Sequence, residues 1–419
     1  MDSSQLVFDT LIIGGGAAGM MATFSVKKHQ PHYSVVILDQ THELGRKLLT
    51  SGAGRGNLTN SNLAKNPQSF FHGDPHLVES IFQQFSYMDI IRFFEDLGIP
   101  LYEEKKSGKG KIFPVIDHAK TIRNILVSAL LELGVQIVCN TRVEELKKTN
   151  DGWQVKTNNK PLIARSIILA CGGKTYPALG SDGSGYAIAS SLGHTIIPPV
   201  VSAVPLVSKN LLSHLLQGEK CEAQVTVLIN GKEMQTRAGE VLFTQYGFSG
   251  PLILDVSRDI SVRINRDGKK DTGLRLSFFP NKSPEEVQSI IKDRFAKHPS
   301  YPVSHCLWGL FTEKVAGAVC AVSTIPKERK AGEMKEEEFN KLLQTLTVYS
   351  VPITDTRGWN EGEFTAGGVD MREVNPETLE SKKAKGIYFA GEILDVDGPV
   401  GGFNLSWSWA SGWVAGKIK

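Results

Sequence analysis

The chain has no long apolar run. None of its hydrophobic stretches approaches the ~18 residues that cross a bilayer, and Met1-Asp2-Ser3-Ser4-Gln5 lacks the basic start of a secretory leader. Cysteine is scarce. Cys139, Cys171, Cys221, Cys306 and Cys320 are scattered, odd in number and without a CxxC, which argues against a disulfide framework and against a zinc site. Neither charge predominates: 47 Lys and Arg face 44 Asp and Glu, a net +3 over 419 residues, too little to indicate nucleic acid on its own. The basic clusters Lys105-Lys106, Lys109, Lys111 and Lys382-Lys383, Lys385 are short, as solvated loops are. No repeat, low-complexity tract or second independent GxGxxG is visible. These absences predict a reduced, cytoplasmic protein with a small-molecule substrate, without a membrane span, a metal or a nucleic-acid partner. They leave the oligomeric state undefined.

Glycine, by contrast, is plentiful, at 41 residues, and its placement near the start is specific. Leu11–Ile13 reads as a buried strand and Ala17–Phe24 as a helix. Gly14-x-Gly16-x-x-Gly19 lies between them, where a dinucleotide fingerprint sits. There Gly14 permits the tight turn, Gly16 lets backbone approach a pyrophosphate, and Gly19 lets the helix pack on the strand. Free amides at the helix start, through Ala18, face the anion. A second strand, Ser34–Leu38, ends at Asp39, twenty residues past Gly19, where a carboxylate meets a ribose hydroxyl.

The following segment, from Glu43 to Asn60, combines glycines, three cations and short polar side chains. It reads as a phosphate and sugar cradle, with Arg46 or Lys47 near phosphate and Ser51 or Asn57 donating hydrogen bonds; the plainer reading is a flexible surface loop. Amphipathic helices are expected within Pro75–Leu97, an exposed hairpin over Glu103–Lys111, a helix over Thr121–Leu133 and a small meander from Val143 to Ala164. Ser166–Ala170 is expected as a further buried strand, whose trailing Cys171-Gly172-Gly173 lets backbone approach a ligand. A helix over Tyr186–Leu192 would be capped by Asp182 or Ser184. From about Ile196 short strand-like runs, beginning with Ile196–Val207, suggest an inserted β-domain. Ser283-Pro284-Glu285-Glu286 then opens a charged helical segment.

The end of the chain returns to the chemistry of its beginning. Gly386–Glu392 reads as a buried strand, Asp395–Gly402 as a glycine-rich turn, and Phe403–Lys417 as a helix rich in Trp and small residues. An NAD dehydrogenase keeps its fingerprint domain as one block. Two helix starts supplied by opposite ends of the chain suit FAD, whose pyrophosphate rests on one and whose flavin reaches the other. A helix start also stabilises the negative charge of a reduced flavin, by roughly 0.3–2 kcal/mol.

Several motifs resemble one known group: Gly45-Arg46-Lys47 with Ser51–Asn60, Phe243–Pro251, Thr365-Ala366-Gly367-Gly368-Val369, and Gly391–Gly398. They are similar, in order and over nearly the whole chain, to the bacterial flavoproteins of the BaiN/YhiN type, also labelled aminoacetone-oxidase-like. More distantly, Gly172-Gly173 with Gly180–Gly183 resembles fumarate reductase and aspartate oxidase flavoproteins. The resemblance implies an α/β fold: a glutathione-reductase-like Rossmann domain for non-covalent FAD, interrupted by a β-barrel-like domain and a small helical domain. The expected boundaries are 1–195 with 356–419, 196–280 with 346–355, and 281–345. It implies hydride transfer through flavin N5 to or from a small organic substrate, of the enone-reduction or amine-oxidation class; transient reduction by NAD(P)H stays open.

The expected FAD contacts are Gly14, Gly16, Ala18, Gly19 and Asp39 for the ADP half, and Arg46, Lys47, Ser51, Gly52 and Asn57 for the bridge. The Val143 backbone is expected at adenine. Ala170, Gly172, Gly391, Glu392, Asp397, Gly402, Phe403 and Asn404 complete the set, Glu392 at the ribityl chain by analogy. The family commonly has Cys where this chain has Gly56, and His where it has Gln245. Gln cannot exchange protons near neutral pH, which leaves Tyr246 as the donor beside Gln245. These departures keep a second reading alive: a flavin-binding redox sensor or interaction module without turnover.

Overall fold

The structure is a computed structural model that describes residues 7–105 and 108–418. The chain forms two compact units, Met1–Val201 with Glu363–Lys419, and Ser202–Gly362.

The first unit is built on a seven-stranded sheet with the fingerprint strand Val7–Ile13 inside it. Val35–Leu38 lies parallel on one side and Leu162–Leu169 parallel on the other. Leu11, Ile12, Val36, Ile37, Ile167 and Ile168 are completely buried, the continuous burial of a sheet covered on both faces. Gln136–Val138 extends the Val35–Leu38 edge in parallel. The meander Val143–Thr149 and Gly152–Thr157 joins antiparallel to the start of Leu162–Leu169. Near the other end of the chain, Ile387–Phe389 pairs in parallel with Ile167–Leu169. The last strand thus rejoins the sheet that the first one began.

One helix follows each of the first and last strands of this sheet in sequence. Ala17–His29 and Phe403–Ala415 pack side by side, because Gly412 and Gly416 leave no Cβ to collide with the Ala18 and Ala22 carbonyl oxygens. Pro75–Gln84 is capped by Asp74, and Tyr87–Asp96 by a Ser86–Asp89 capping box. They bring Phe82, Phe85 and Phe94 onto Trp407, Trp413 and Trp409. The strands Leu101–Glu103 and Lys111–Pro114 pair antiparallel as the arms of the expected hairpin.

In the second unit Tyr349–Ile353, Thr272–Ser277, Lys220–Ile229, Lys232–Thr244, Gly247–Ser249, Leu206–Val207 and Asp355–Thr356 form one antiparallel sheet in that order. Its two ends come together: Ser208 Oγ donates to the Pro352 carbonyl at 2.7 Å and the Thr354 amide to the Val207 carbonyl at 3.0 Å. The result is barrel-like. The helices Pro284–Lys297, Glu313–Val322 and Glu336–Thr347 share one apolar cluster with this sheet, Val287, Ile291, Val315 and Leu342 joining Val225, Phe243 and Leu274.

Four local expectations change. Leu162–Ala164 and Ser166–Ala170 are a single strand, Leu162–Leu169, because the whole run pairs with the first strand, from Val7–Ile163 to Ile13–Leu169. Ile196–Val207 is not one strand of the inserted domain; Ile196–Ser202 pairs with Phe364–Val369, and only Leu206–Val207 enters the barrel-like sheet. Pro251–Ser261 is a helix that β-rich surroundings concealed; Pro251 occupies its first turn, where a missing amide costs nothing. The helix beginning at Ser184 has Gly183 as its flanking residue, and Asp182 accepts the Ser184 amide at 2.9 Å.

Candidate functional site

The fingerprint turn is shaped by backbone contacts that only glycine allows. Gly14 has φ +101°, and a Cβ there would overlap the Ala170 carbonyl; a Cβ on Gly19 would overlap the Gly14 carbonyl. Gly16 differs. It faces open space, and the helix that it precedes has no side-chain cap and no acid in its first turn. Its first amides therefore lack a side-chain cap at the positive end of the helix. Asp39 ends the neighbouring strand as expected, and its carboxylate is engaged by protein donors: Oδ2 accepts the Gly15 amide at 2.8 Å, and Oδ1 accepts the Thr41 amide and hydroxyl at 2.8 and 2.7 Å. Thr141, two residues before Val143, donates its amide to the Asp39 carbonyl. This brings the Val143 backbone to the same edge.

A second helix start lies in the same unit. Gly402, at φ +102°, precedes Phe403–Ala415, again without a side-chain cap. The two helices run parallel in the register Ala18–Gly412 and Ala22–Gly416. Gly16 therefore stands level with about residue 410, and Gly402 lies eight residues earlier, about 12 Å along the axis at 1.5 Å per residue. Two uncapped, positive ends are thus offered along one line. Gly391 sits between them, a Cβ there standing 2.7 Å from Ala18 Cβ.

The Glu43–Asn60 segment closes against the second start. Asn60 Nδ2 donates to the Gly401 carbonyl at 2.8 Å, Thr59 and Ser406 share a hydroxyl bond at 2.7 Å, and Trp409 donates to the Leu58 carbonyl at 2.9 Å. Asn57 is only 6% exposed, its Oδ1 has no donor among the described residues, and that atom lies 3.0 Å from where a Gly402 Cβ would be. A buried acceptor without a donor is costly unless a ligand completes it. Gly52 adopts φ +56° against Phe113. Arg55 stacks on Phe113 at 4.0 Å and pairs with Glu104 and Asp117. These contacts pin the segment to the hairpin, so it is not a free surface loop.

Other expected contacts are spent on the protein. Lys47 Nζ meets Glu392 Oε2 at 2.8 Å and Thr175 Oγ1 at 2.7 Å, while Glu392 Oε1 accepts the Thr365 amide at 2.8 Å. The two residues assigned to phosphate and ribityl thus pair with each other. Arg46 donates to the Ala178 carbonyl, and Ser51 to Leu48. Asn404 closes the Gly398–Pro399 turn with three hydrogen bonds. Phe403 stacks on Phe70 at 4.9 Å, and the buried Asp397 exchanges backbone hydrogen bonds with His72. Ala170 donates its amide to Ile13, which places Gly172 (φ +73°) beside the buried Ser181 hydroxyl; that hydroxyl has no partner. Burial pushes the Cys171 thiol up to about 12, with the charges of Asp39 and Asp182 adding to the effect.

Sequence reasoning passed over Thr175, Tyr176 and Glu363. Tyr176 holds the left-handed conformation (φ +56°) rare for a bulky residue, and its hydroxyl reaches Glu363 Oε1 at 3.5 Å. Burial raises the Glu363 carboxyl above its usual range, against the opposing pull of Lys47. No pattern in the sequence marks these residues. Gln245 and Tyr246 lie in the second unit, Gln245 exposed, Tyr246 with its ring 4.7 Å from the Arg357 guanidinium. Among the described residues no group of His, Cys, Asp and Glu is arranged to hold a metal ion, and no helix is long and apolar enough to cross a membrane.

A family model described as HI0933-like protein Rossmann domain matches residues 8–418. The chain belongs to this family. The HI0933-like chain is 35% identical, over 97% of its length and 97% of the relative's, to a 3-dehydro-bile acid delta(4,6)-reductase of Clostridium scindens. It is 29% identical, over 98% of its length and 97% of the relative's, to a ribosomal RNA dihydrouridine synthase of Escherichia coli. Among solved structures it resembles the open conformation of a flavocytochrome c3 fumarate reductase, with a TM-score of 0.50 at 16% identity, covering 99% of this chain and 78% of the other. At that identity the likeness is one of fold.

Proposed function

We propose that this protein is an FAD-dependent oxidoreductase that reduces a carbon–carbon double bond conjugated to a carbonyl. The observation that carries the reading is the line of two uncapped helix starts, Gly16 and Gly402, with the orphaned Asn57 acceptor at the second. A long dinucleotide with a pyrophosphate at one point and a hydrogen-bonding ring system further along would satisfy all three. The names of the relatives favour the substrate class, since a delta(4,6)-reductase and a dihydrouridine synthase both saturate a carbon–carbon double bond.

In this reading the amides following Gly16 hold the pyrophosphate, with Asp39 and the Val143 backbone at the adenosine end. Gly391, Asn57, Gly402 and Phe403 line the flavin end. Lys47, paired with Glu392 and bonded to Thr175, holds the segment beside the bridge in place. Bound FAD supplies the hydride donor and acceptor, at flavin N5. Reducing a conjugated double bond adds a hydride to one carbon and a proton to the other.

Purified protein should be yellow, and under anaerobic conditions NADH or NADPH should bleach the flavin band. Readdition of an α,β-unsaturated ketone or of a uridine-containing RNA should restore it, the acceptor that works naming the substrate. A flavin that exchanges electrons with no donor or acceptor in such a panel would instead establish the sensor or interaction module. A colourless protein would end both readings.

A further inference from the structure

The second helix start has a cation beside it that the assigned FAD contacts leave unused. Lys111 opens the strand Lys111–Pro114 and pairs in register with Asn60 in a three-stranded sheet. Asn60 donates to the Gly401 carbonyl, so Lys111 is set against the same turn. Its stem lies along Gly401, where a Cβ would stand 3.8 Å from Lys111 Cγ and 3.6 Å from Cε. The ammonium is one bond further on. Lys111 is half-buried, and among the described residues its ammonium has neither an ion pair nor a hydrogen bond.

The carboxylates on the elements packed around Lys111 are committed elsewhere. Glu104, whose amide bonds the Lys111 carbonyl across the hairpin, is paired with Arg55 at 2.8 Å, and Arg55 also takes Asp117 at 3.2 Å. Glu103 alternates to the other face of its strand, toward Tyr87, whose phenol is raised by burial with the Glu103 charge adding to the effect. Asp395 and Asp397, ahead of the turn, have partners of their own. An unspent cation, the orphaned Asn57 acceptor and the positive end of a thirteen-residue helix thus converge on Gly401 and Gly402. Asn57 calls for an N–H donor, and the cation and the helix start call for an oxygen or an anion. The pyrimidine end of a flavin offers both, and it gains negative charge on reduction. We infer, on the reading of this unit as a flavin domain, that Lys111 sets the reduction potential of the flavin, its ammonium favouring the reduced cofactor over the oxidised one. A full charge there acts in the same sense as the roughly half charge of the helix start and adds to it.

The test is the two-electron midpoint potential of the purified holoprotein, read against a reference dye during slow reduction by xanthine and xanthine oxidase. The parent is compared with Lys111→Met and Lys111→Arg. Lys111→Met keeps a stem over Gly401 and removes the charge. It should shift the equilibrium toward oxidised flavin by at least about tenfold, a fall of about 30 mV in potential. Lys111→Arg keeps the charge and should stay within about threefold of the parent. An unchanged potential in Lys111→Met would overturn the inference. So would an equal fall in Lys111→Arg, which would show that the stem packs the turn and that its charge is immaterial. A parent protein that takes up no FAD would end the flavin reading itself, an outcome visible as missing yellow colour before any potential is measured.

Discussion

Replacing Gly412 with Ala tests how the two ends of the chain are held together. Gly412 has an ordinary helical backbone, so on an isolated helix the change should stabilise by up to about 1 kcal/mol. Here a Cβ would overlap the Ala18 carbonyl oxygen and stand 3.1 Å from Met21 Cβ. Carbon contacts are comfortable at about 3.5–4.0 Å, and the overlapped atom is backbone of the neighbouring helix, which no rotamer change can move aside. The helices must part by roughly 1 Å, at a cost in the upper part of the overpacking range, about 2–3 kcal/mol, which leaves a net loss of about 1–2 kcal/mol after the propensity gain. For a unit of this size each kcal/mol moves the melting temperature by about 2–4 °C. Gly412→Ala should therefore melt about 2–8 °C lower, and it should release flavin more readily, because Gly391 and the Gly402 start are carried on the displaced elements. Thermal melts and flavin release, followed by fluorescence, give both numbers. A variant as stable as the parent, or more so, would refute the close packing of the first and last helices.

Asn57→Ala should raise the dissociation constant for FAD about 2- to 10-fold, the worth of one neutral hydrogen bond, while apoprotein stability stays level or rises. Loss of apoprotein stability in urea would show instead that Asn57 is structural. Lys47→Met leaves the Glu392 carboxylate, 16% exposed, without its cation and should cost about 1–3 kcal/mol; Lys47→Met with Glu392→Gln should recover part of that loss in a double-mutant cycle. Burial would raise the Glu373 carboxyl, but the Lys383 ammonium at 2.6 Å and the Thr195 amide and hydroxyl overcome it and hold the group at about 2. A carboxyl lowered by folding stabilises above its unfolded value and loses that contribution as pH falls. Glu373→Gln should thus be less stable than the parent at pH 7, with the gap closing between about pH 4.5 and about pH 2. A gap independent of pH in urea melts would refute that assignment.

Much of the first unit was legible because its signals are local. The Gly14–Gly19 spacing and the apolar runs at Leu11–Ile13 and Val35–Leu38, like the Ser283 helix start in the second unit, each involve residues within a few positions of one another, where backbone sterics and hydrogen bonding act directly. The return of Gly386–Glu392 to the first sheet was legible for a similar reason: a short apolar run ending in glycine repeats the pattern of the first strand. The helix at Pro251 and the division of Ile196–Val207 were not, because strand pairing partners such as Phe364–Val369 lie more than 150 residues away.

The sequence alone determined where a backbone can come close to an anion, since that depends on which residues lack a Cβ. Only the tertiary structure decided which polar groups remain for a ligand. Lys47 and Glu392 are 345 residues apart and neutralise each other, whereas Asn57 is left with a buried acceptor that no described residue completes. Charge pairing and burial depend on distances through space, and no spacing along the chain encodes them.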